Sequence, residues 1–318
     1  MKTPVLLILF KRPELTRRAL AAIHAASPPA LLVAADGPRG EFEAAACEET
    51  RRIVDEFDWQ CEVRRNFAAA NMGCGVRVHT GISWALSLFE EVVILEDDCL
   101  PNPSFFRFCD ELLERYRDDE RVMHVSGDNF VGSEFAAPYS YYFSKYTHAW
   151  GWATWRRAWR HFDWAMRSWP EAKAAGLLEA RAPDPYEREY WRAIWDRMHA
   201  GAPDVWDYQW NYAMWAQSGL SVIPAVNLVT NEGFGADATH TTSPSEFLSR
   251  PTEVLDEIRH PPFVFQNAAA DALTFARNFG GAEMKARDTP RAKMRRRLEP
   301  AIRLLRPVKR AMRRLGPR

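Results

Sequence analysis

The segment Val92-Val93-Ile94-Leu95-Glu96-Asp97-Asp98-Cys99-Leu100-Pro101 runs an apolar strand directly into three consecutive carboxylates. Three ionised acids at a sheet end repel one another and resist desolvation, so a cation or donors on a ligand must compensate them. A divalent metal carrying a diphosphate is the natural candidate. Mg²⁺ and Mn²⁺ take one or two protein carboxylates and complete their shell with phosphate oxygens and water. Taken alone, the triplet reads equally well as a solvated acidic turn after a strand.

The surrounding pattern narrows the choice. Residues 4–10 read as a buried strand, 13–26 as a helix, and 30–35 as a second strand ending at Asp36-Gly37-Pro38. Residues 42–57 read as a helix, 61–65 as a short strand, and 76–89 as a third helix ahead of the strand at 92–95. A helix over 105–116 and a strand over 122–126 follow. This βα alternation predicts an α/β fold, a mostly parallel sheet covered by helices. In such sheets ligands bind outside the carboxyl ends of the strands. Arg12, Asp36 and Glu96-Asp97-Asp98 all fall there, offering places for a base, a ribose and a metal diphosphate. Each alone is a surface salt bridge or a turn residue; their shared location favours a site. Asn71-Met72-Gly73-Cys74-Gly75 precedes the third helix and offers backbone N–H groups to phosphate, or serves as a plain helix-starting turn.

From Tyr139 onward the composition shifts. Eleven of the 13 tryptophans lie between Trp150 and Trp215. Aromatic faces stack on sugar C–H faces, but the spacing of Trp152, Trp155 and Trp159, and of Trp206 and Trp210, matches one helical face, so most belong to the core. One or two are expected to touch substrate. In Val205-Trp206-Asp207-Tyr208-Gln209-Trp210 a lone acid sits between bulky aromatics. Shielding from water raises its proton affinity, which suits a general base, although a helix cap is the alternative. Further on, Asn231-Glu232-Gly233-Phe234-Gly235 and Asp237-Ala238-Thr239-His240 form a glycine-bearing stretch. The His240 imidazole is a candidate metal ligand beside its structural alternative. Ser126-Gly127-Asp128-Asn129 ends a strand and is explained by a turn as well as by a ligand. Residues 170–204 read as an insertion on the acceptor side.

At 318 residues and 47% hydrophobic content, the chain can bury one large core or two joined subdomains. Formal net charge is zero, yet residues 285–318 carry 14 Lys/Arg against two acids, so this segment is +12 and the remainder −12. An acidic body argues against nucleic acid as a partner, and the basic segment argues for an anionic surface. Its apolar residues sit near helical spacing, broken by Pro300 and Pro307. That suits a peripheral contact with anionic lipid or, equally, a disordered solubilising tail. The apolar run after Met1 is too short for a secretion signal. Five cysteines without Cys-x-x-Cys spacing indicate neither a disulfide framework nor a zinc knuckle, so a reducing cytoplasm is the expected compartment.

Read in order, Phe10-Lys11-Arg12-Pro13, Ala35-Asp36-Gly37-Pro38, Leu95-Glu96-Asp97-Asp98, His148-Ala149-Trp150-Gly151-Trp152, Trp206-Asp207-Tyr208-Gln209-Trp210 and Asp237-Ala238-Thr239-His240 resemble a bacterial GT-A glycosyltransferase. The resemblance is to family 2-like sugar transferases and, more distantly, to N-acetylglucosaminyltransferase I, over residues 4–241. It implies a nucleotide-sugar-binding half at 1–130, a Trp-rich acceptor-side half of the same domain at 131–284, and a separate basic tail at 285–318. It further implies a UDP-sugar donor, Mn²⁺ or Mg²⁺, and a glycan or lipid-linked acceptor. By position in the motifs, Arg12 and Asp36 would hold the uridine, Asp97 the ribose, Asp98 the metal, and Glu96 would lie near the donor sugar. Asp207 would be the catalytic base of an inverting hexosyl or N-acetylhexosaminyl transfer, and His240 would contact metal or diphosphate. Here Tyr208 follows Asp207 where the distant relative has a second acid. Two other functions stay open. A sugar nucleotidyltransferase would need a glycine-rich, lysine-bearing loop after the first strand, which Phe10-Lys11-Arg12-Pro13 lacks. The other is an inactive glycan- or nucleotide-binding protein on the same fold.

Overall fold

The computed structural model describes residues 1–201, 204–233 and 250–289. The continuous apolar runs of the first half become strands buried on both faces: β1 (Val5–Leu9), β2 (Ala30–Ala35) and β4 (Glu91–Glu96), with the more polar β3 (Glu62–Phe67) at the edge. Between them lie α1 (Pro13–Ala26), α2 (Glu41–Arg52) and α3 (Cys74–Leu88). Pro13 opens α1, where its missing N–H is not needed.

After the acidic turn come the short β5 (Cys99–Pro101) and α4 (Pro103–Arg115), which Asn102 caps by accepting the Ser104 N–H at 2.9 Å. Next are β6 (Val122–Ser126), β7 (Tyr141–Ser144) and β8 (Trp152–Trp155). Helices α5 (Arg156–Trp159), α6 (Trp169–Ala174), α7 (Leu177–Arg181), α8 (Pro185–His199) and α9 (Asp207–Ala216) then precede β9 (Leu220–Pro224) and β10 (Val229–Asn231). Helices α10 (Ala268–Asn278) and α11 (Gly281–Arg287) end the described chain.

Eight strands form one sheet in the order β3-β2-β1-β4-β8-β6-β9-β7, and β5 pairs with β10 in a second, two-stranded sheet. β1 to β4, β6 and β9 run the same way, while β8 and β7 oppose them. The fold is therefore the α/β architecture with a mostly parallel sheet flanked by helices that the alternation predicts. Alternate residues serve opposite faces: Leu7, Val33 and Leu95 pack with α1 and α4, whereas Ile8, Leu32 and Ile94 pack with α3, α5 and α9. A third cluster, built on Trp169, Trp191, Trp195 and Trp215, joins α6 to α9 with α10. Residues 170–201 thus contribute helices around buried indoles, and the boundary read at residue 285 falls inside α11. No helix among the described residues is long and apolar enough to cross a membrane.

Nine of the eleven clustered tryptophans are buried, as their spacing suggests, but one part of that reading changes. Trp152 and Trp155 do not share a helical face. They end a strand that pairs antiparallel with β4 and β6, and so point to opposite sides of the sheet. A gap in the sheet between β4 and β6 overrides the helical period, because β8 satisfies backbone groups on both neighbours. Trp152 is 1% exposed and stacks on His124 at 4.7 Å and on Trp206 at 5.4 Å. Replacing Trp152 by Ala should therefore cost about 3–5 kcal/mol of unfolding free energy in urea titrations. A loss under about 1 kcal/mol, the level of ordinary surface substitutions, would contradict this packing.

Candidate active site

Leu9 pairs with Ala35, and Ile8 with Glu96, so β1, β2 and β4 end side by side and their following residues share one rim. A cavity of about 540 Å³ opens there. Arg12, Asp36, Glu96, Asp97 and Asp98 line it together with Trp150, Trp206 and Asp207. Six of the seven residues singled out from the sequence therefore meet in one cavity. The seventh, His240, lies outside the described residues.

Glu96 ends β4, and Asp97-Asp98 form the tight turn into β5. The Arg12 guanidinium lies between the two aspartates, its Nη1 donating to Asp97 Oδ1 at 3.0 Å and to Asp98 Oδ2 at 2.6 Å. Asp97 Oδ2 also accepts the Phe10 N–H at 3.1 Å, which ties the acidic turn to the end of β1. Asn231, at the end of β10, donates to Asp98 Oδ1 at 3.3 Å. Arg12 does not neutralise the cluster. Burial, then Asp98 and Asp97, push the Glu96 carboxyl well above the carboxylate range, and burial with Asp98 does the same to Asp97.

An oxygen-preferring cation fits this donor set. A positively charged nitrogen already occupies the position between two carboxylates, and the surplus negative charge remains around it. Among the described residues no three or more His, Cys, Asp or Glu side chains are arranged to hold a metal ion without help.

Asp36 is 5% exposed and organises a loop. Its Oδ1 accepts the N–H groups of Gly37 and Met72, each at 2.8 Å, and its Oδ2 accepts Asn71 Nδ2 at 2.9 Å. Burial nonetheless raises its pKa, against the lowering effect of those bonds. Beside it, Arg77 on α3 is 4% exposed, lines the cavity, and donates to the Asn66 carbonyl at 3.1 Å.

The Asn71–Gly75 segment does start a helix, but its amides do not await a phosphate. The Cys74 and Gly75 N–H groups each donate at 2.8 Å to the carboxylate of Asp204. Three residues later Asp207 is the first residue of α9, with Trp206 in the cap position but making no side-chain capping bond, so Asp207 sits in the first turn rather than at the cap. Its charge acts on Glu96, and beside burial Cys74 feels Glu96, Asp204, Asp207 and Asp98 together. The acid read as a base and the acids read as a donor site thus line one cavity.

At the carboxyl end of β6, Asp128 is 1% exposed, accepts Ser126 Oγ at 2.9 Å, and lies 3.8 Å from His148 Nδ1. Phe130 packs on the His148 ring at 4.4 Å and edge-on to Trp150 at 4.9 Å. Asp128 therefore buttresses the wall behind Trp150 and does not line the cavity. Arg77, Asp204 and Asn231 carry site contacts to which the sequence assigns no role. Arg77 falls within a predicted helix, where a buried cation has no spacing signature. Asp204 bonds residues 129 and 130 positions away.

No family model and no curated protein matches the chain. Among solved structures it is similar to S. aureus TarS 1-349, with 12% identity, 71% of this chain and 58% of that chain covered, and a TM-score of 0.41. Mouse xyloside xylosyltransferase 1 in its apo form shows 13% identity, coverage of 67% and 81%, and a TM-score of 0.34. A 4-diphosphocytidyl-2C-methyl-D-erythritol synthase from Anaerococcus prevotii shows 8%, 62%, 99% and 0.31. The chain spans a little over half the length of the TarS structure. The fold assignment rests on the strand order given above.

Burial pushes the Asp128 carboxyl up to about 8, against an ordinary value near 3.8. Between those pH values the native state holds a proton that the unfolded chain has released, so stability falls as pH rises from about 4 to about 8. The slope from this group is at most about 1.4 kcal/mol per unit. Asp128→Asn should flatten the slope in denaturant titrations across that range and leave the variant more stable than wild type at pH 8. An unchanged slope would contradict a protonated Asp128.

Proposed function

We propose that the protein is a metal-assisted glycosyltransferase of the GT-A type, which moves a hexosyl or N-acetylhexosaminyl group from a UDP-sugar to a hydroxyl of a glycan or lipid-linked acceptor. The observation that carries this reading is the cavity that the Glu96-Asp97-Asp98 turn and Asp207 line together. A nucleotide diphosphate fits beside the first and an acceptor hydroxyl beside the second.

In this reading Arg12 and Asp36 hold the uridine, with Arg77 beside Asp36 in the same cavity. An acceptor beside a donor suits an imide N–H flanked by a carbonyl, the edge that uracil presents. Asp97 faces the ribose and Glu96 the donor sugar. Asp98 would hold Mn²⁺ or Mg²⁺, with His240 as a further ligand. When bound, the metal neutralises charge on the departing diphosphate. Asp207 takes the proton of the acceptor hydroxyl as its oxygen bonds to the anomeric carbon. The bond from that carbon to the β-phosphate oxygen breaks with its electron pair leaving on UDP, so configuration inverts. Trp150 and Trp206 supply apolar surface beside the sugar and exclude water from the reacting centre. A cytoplasmic location, with residues 285–318 resting on an anionic membrane surface, completes the reading.

The nucleotidyltransferase reading finds less support, because the turn after β1 presents Phe10-Lys11-Arg12-Pro13 and no glycine-rich loop. Two substitutions test the assignment. Asp98→Asn should abolish metal-dependent release of UDP. Asp207→Asn should keep UDP affinity and lower transfer by about 10²–10⁴-fold, the range for removing a general base. Transfer retained in Asp207→Asn would remove it as the base, and metal-dependent turnover retained in Asp98→Asn would remove Asp98 as the ligand.

A further inference from the structure

We propose that Asp204 is a positioning residue that fixes Asp207 in the cavity it shares with the acidic turn by strapping the acceptor-side segment to the first turn of α3. The inference rests on the transferase reading above and assigns a task to a residue that reading leaves idle. Asp204 Oδ2 accepts the Cys74 N–H and Oδ1 accepts the Gly75 N–H, both at 2.8 Å. The two amides are among those a helix leaves without internal partners, and the helix end carries partial positive charge, so a carboxylate is held firmly there.

Shape supports the strap. Gly73 has φ +85°, and a Cβ there would collide with the Asp204 carboxylate, while a Cβ at Gly75 would meet the Trp164 ring first and then the same carboxylate. The glycine pair is therefore what lets a side chain from the other half of the protein reach these amides. The far end of the same segment is pinned separately. Trp206 is 4% exposed and stacks on Trp152 with an interplanar angle of 15°. Asp207 follows at once, so a polar tether on α3 and an aromatic anchor in the core both precede the first turn of α9 that carries it. Loss of the tether leaves the Trp206 anchor but removes the polar link from α3 to the start of α9, so the position of that first turn is less tightly fixed.

A simple helix cap would stabilise α3 and leave turnover alone. The distinguishing readout is the split between donor binding and the rate of the chemical step, measured on the full chain. UDP binding in the presence of Mn²⁺ is measured by calorimetry. UDP release is measured with the sugar nucleotide that wild type turns over fastest in a panel of UDP-, GDP-, CDP- and dTDP-sugars. Asp204→Ala should bind UDP within about twofold of wild type, because the acidic turn and Asp36 are untouched, and lose about 100-fold in kcat, the scale of a misplaced reacting group. Asp204→Asn keeps one of the two side-chain acceptors, its amide oxygen, for one of the two helix amides and should recover part of that rate. A folded Asp204→Ala with wild-type kcat overturns the inference, as does a loss of UDP affinity equal to the loss in rate. A wild-type protein silent with the whole panel has a different signature: it overturns the transferase reading, and this role with it.

Discussion

The crowding of carboxylates around Arg12 is the constraint to which the rest of the cavity answers. Two like charges 4 Å apart at a partly buried site repel by about 4 kcal/mol, and here three acids follow one another in sequence with Asp207 in the same cavity. Arg12 holds Asp97 at 3.0 Å and Asp98 at 2.6 Å, and yet the pKa values of Glu96 and Asp97 remain raised. A structure selected for stability alone would not concentrate charge in this way. Buried ionic groups without full compensation cost more than well-packed apolar ones, a cost that the proposed metal diphosphate would offset.

The sheet makes that concentration possible. β1, β2 and β4 are apolar on both faces and locked in parallel register, so their ends cannot drift, and the polar residues beyond them are delivered to one rim. The second half closes the cavity from the opposite side by different means. β8 fills the sheet between β4 and β6, its Trp152 stacks on Trp206, and Asp204 reaches back to α3. The rim is thus held by strand pairing on one side, and by aromatic packing with one charged tether on the other.

Much of this was legible in the chain. The apolar runs of β1, β2 and β4 and the Pro13 and Asn102-Pro103 helix starts carry strong local signals, and the strand ends then place Arg12, Asp36 and Glu96-Asp97-Asp98 together by topology. What escaped depends on contacts without sequence period. Trp152 and Trp155 read as a helix stripe because a strand of four residues inserted between two others has no signature of its own. The loop amides at Cys74 and Gly75 looked available to phosphate because the carboxylate that takes them lies some 130 positions away. Arg77 was hidden in the same way, a buried cation on a helix whose partner, the Asn66 carbonyl, belongs to β3.

The central claim is that the acidic turn is a nucleotide diphosphate site completed by a divalent cation. Its most direct test is the thermal stability of the full chain with UDP alone, Mn²⁺ alone, and both together, in wild type and in Asp98→Ala. A ligand that binds only the native state raises the unfolding temperature according to its concentration and affinity. The account predicts a shift with UDP and Mn²⁺ together that exceeds the sum of the separate shifts and is lost in Asp98→Ala. No shift with UDP, CDP, GDP or dTDP, whether or not Mn²⁺ is present, would contradict it.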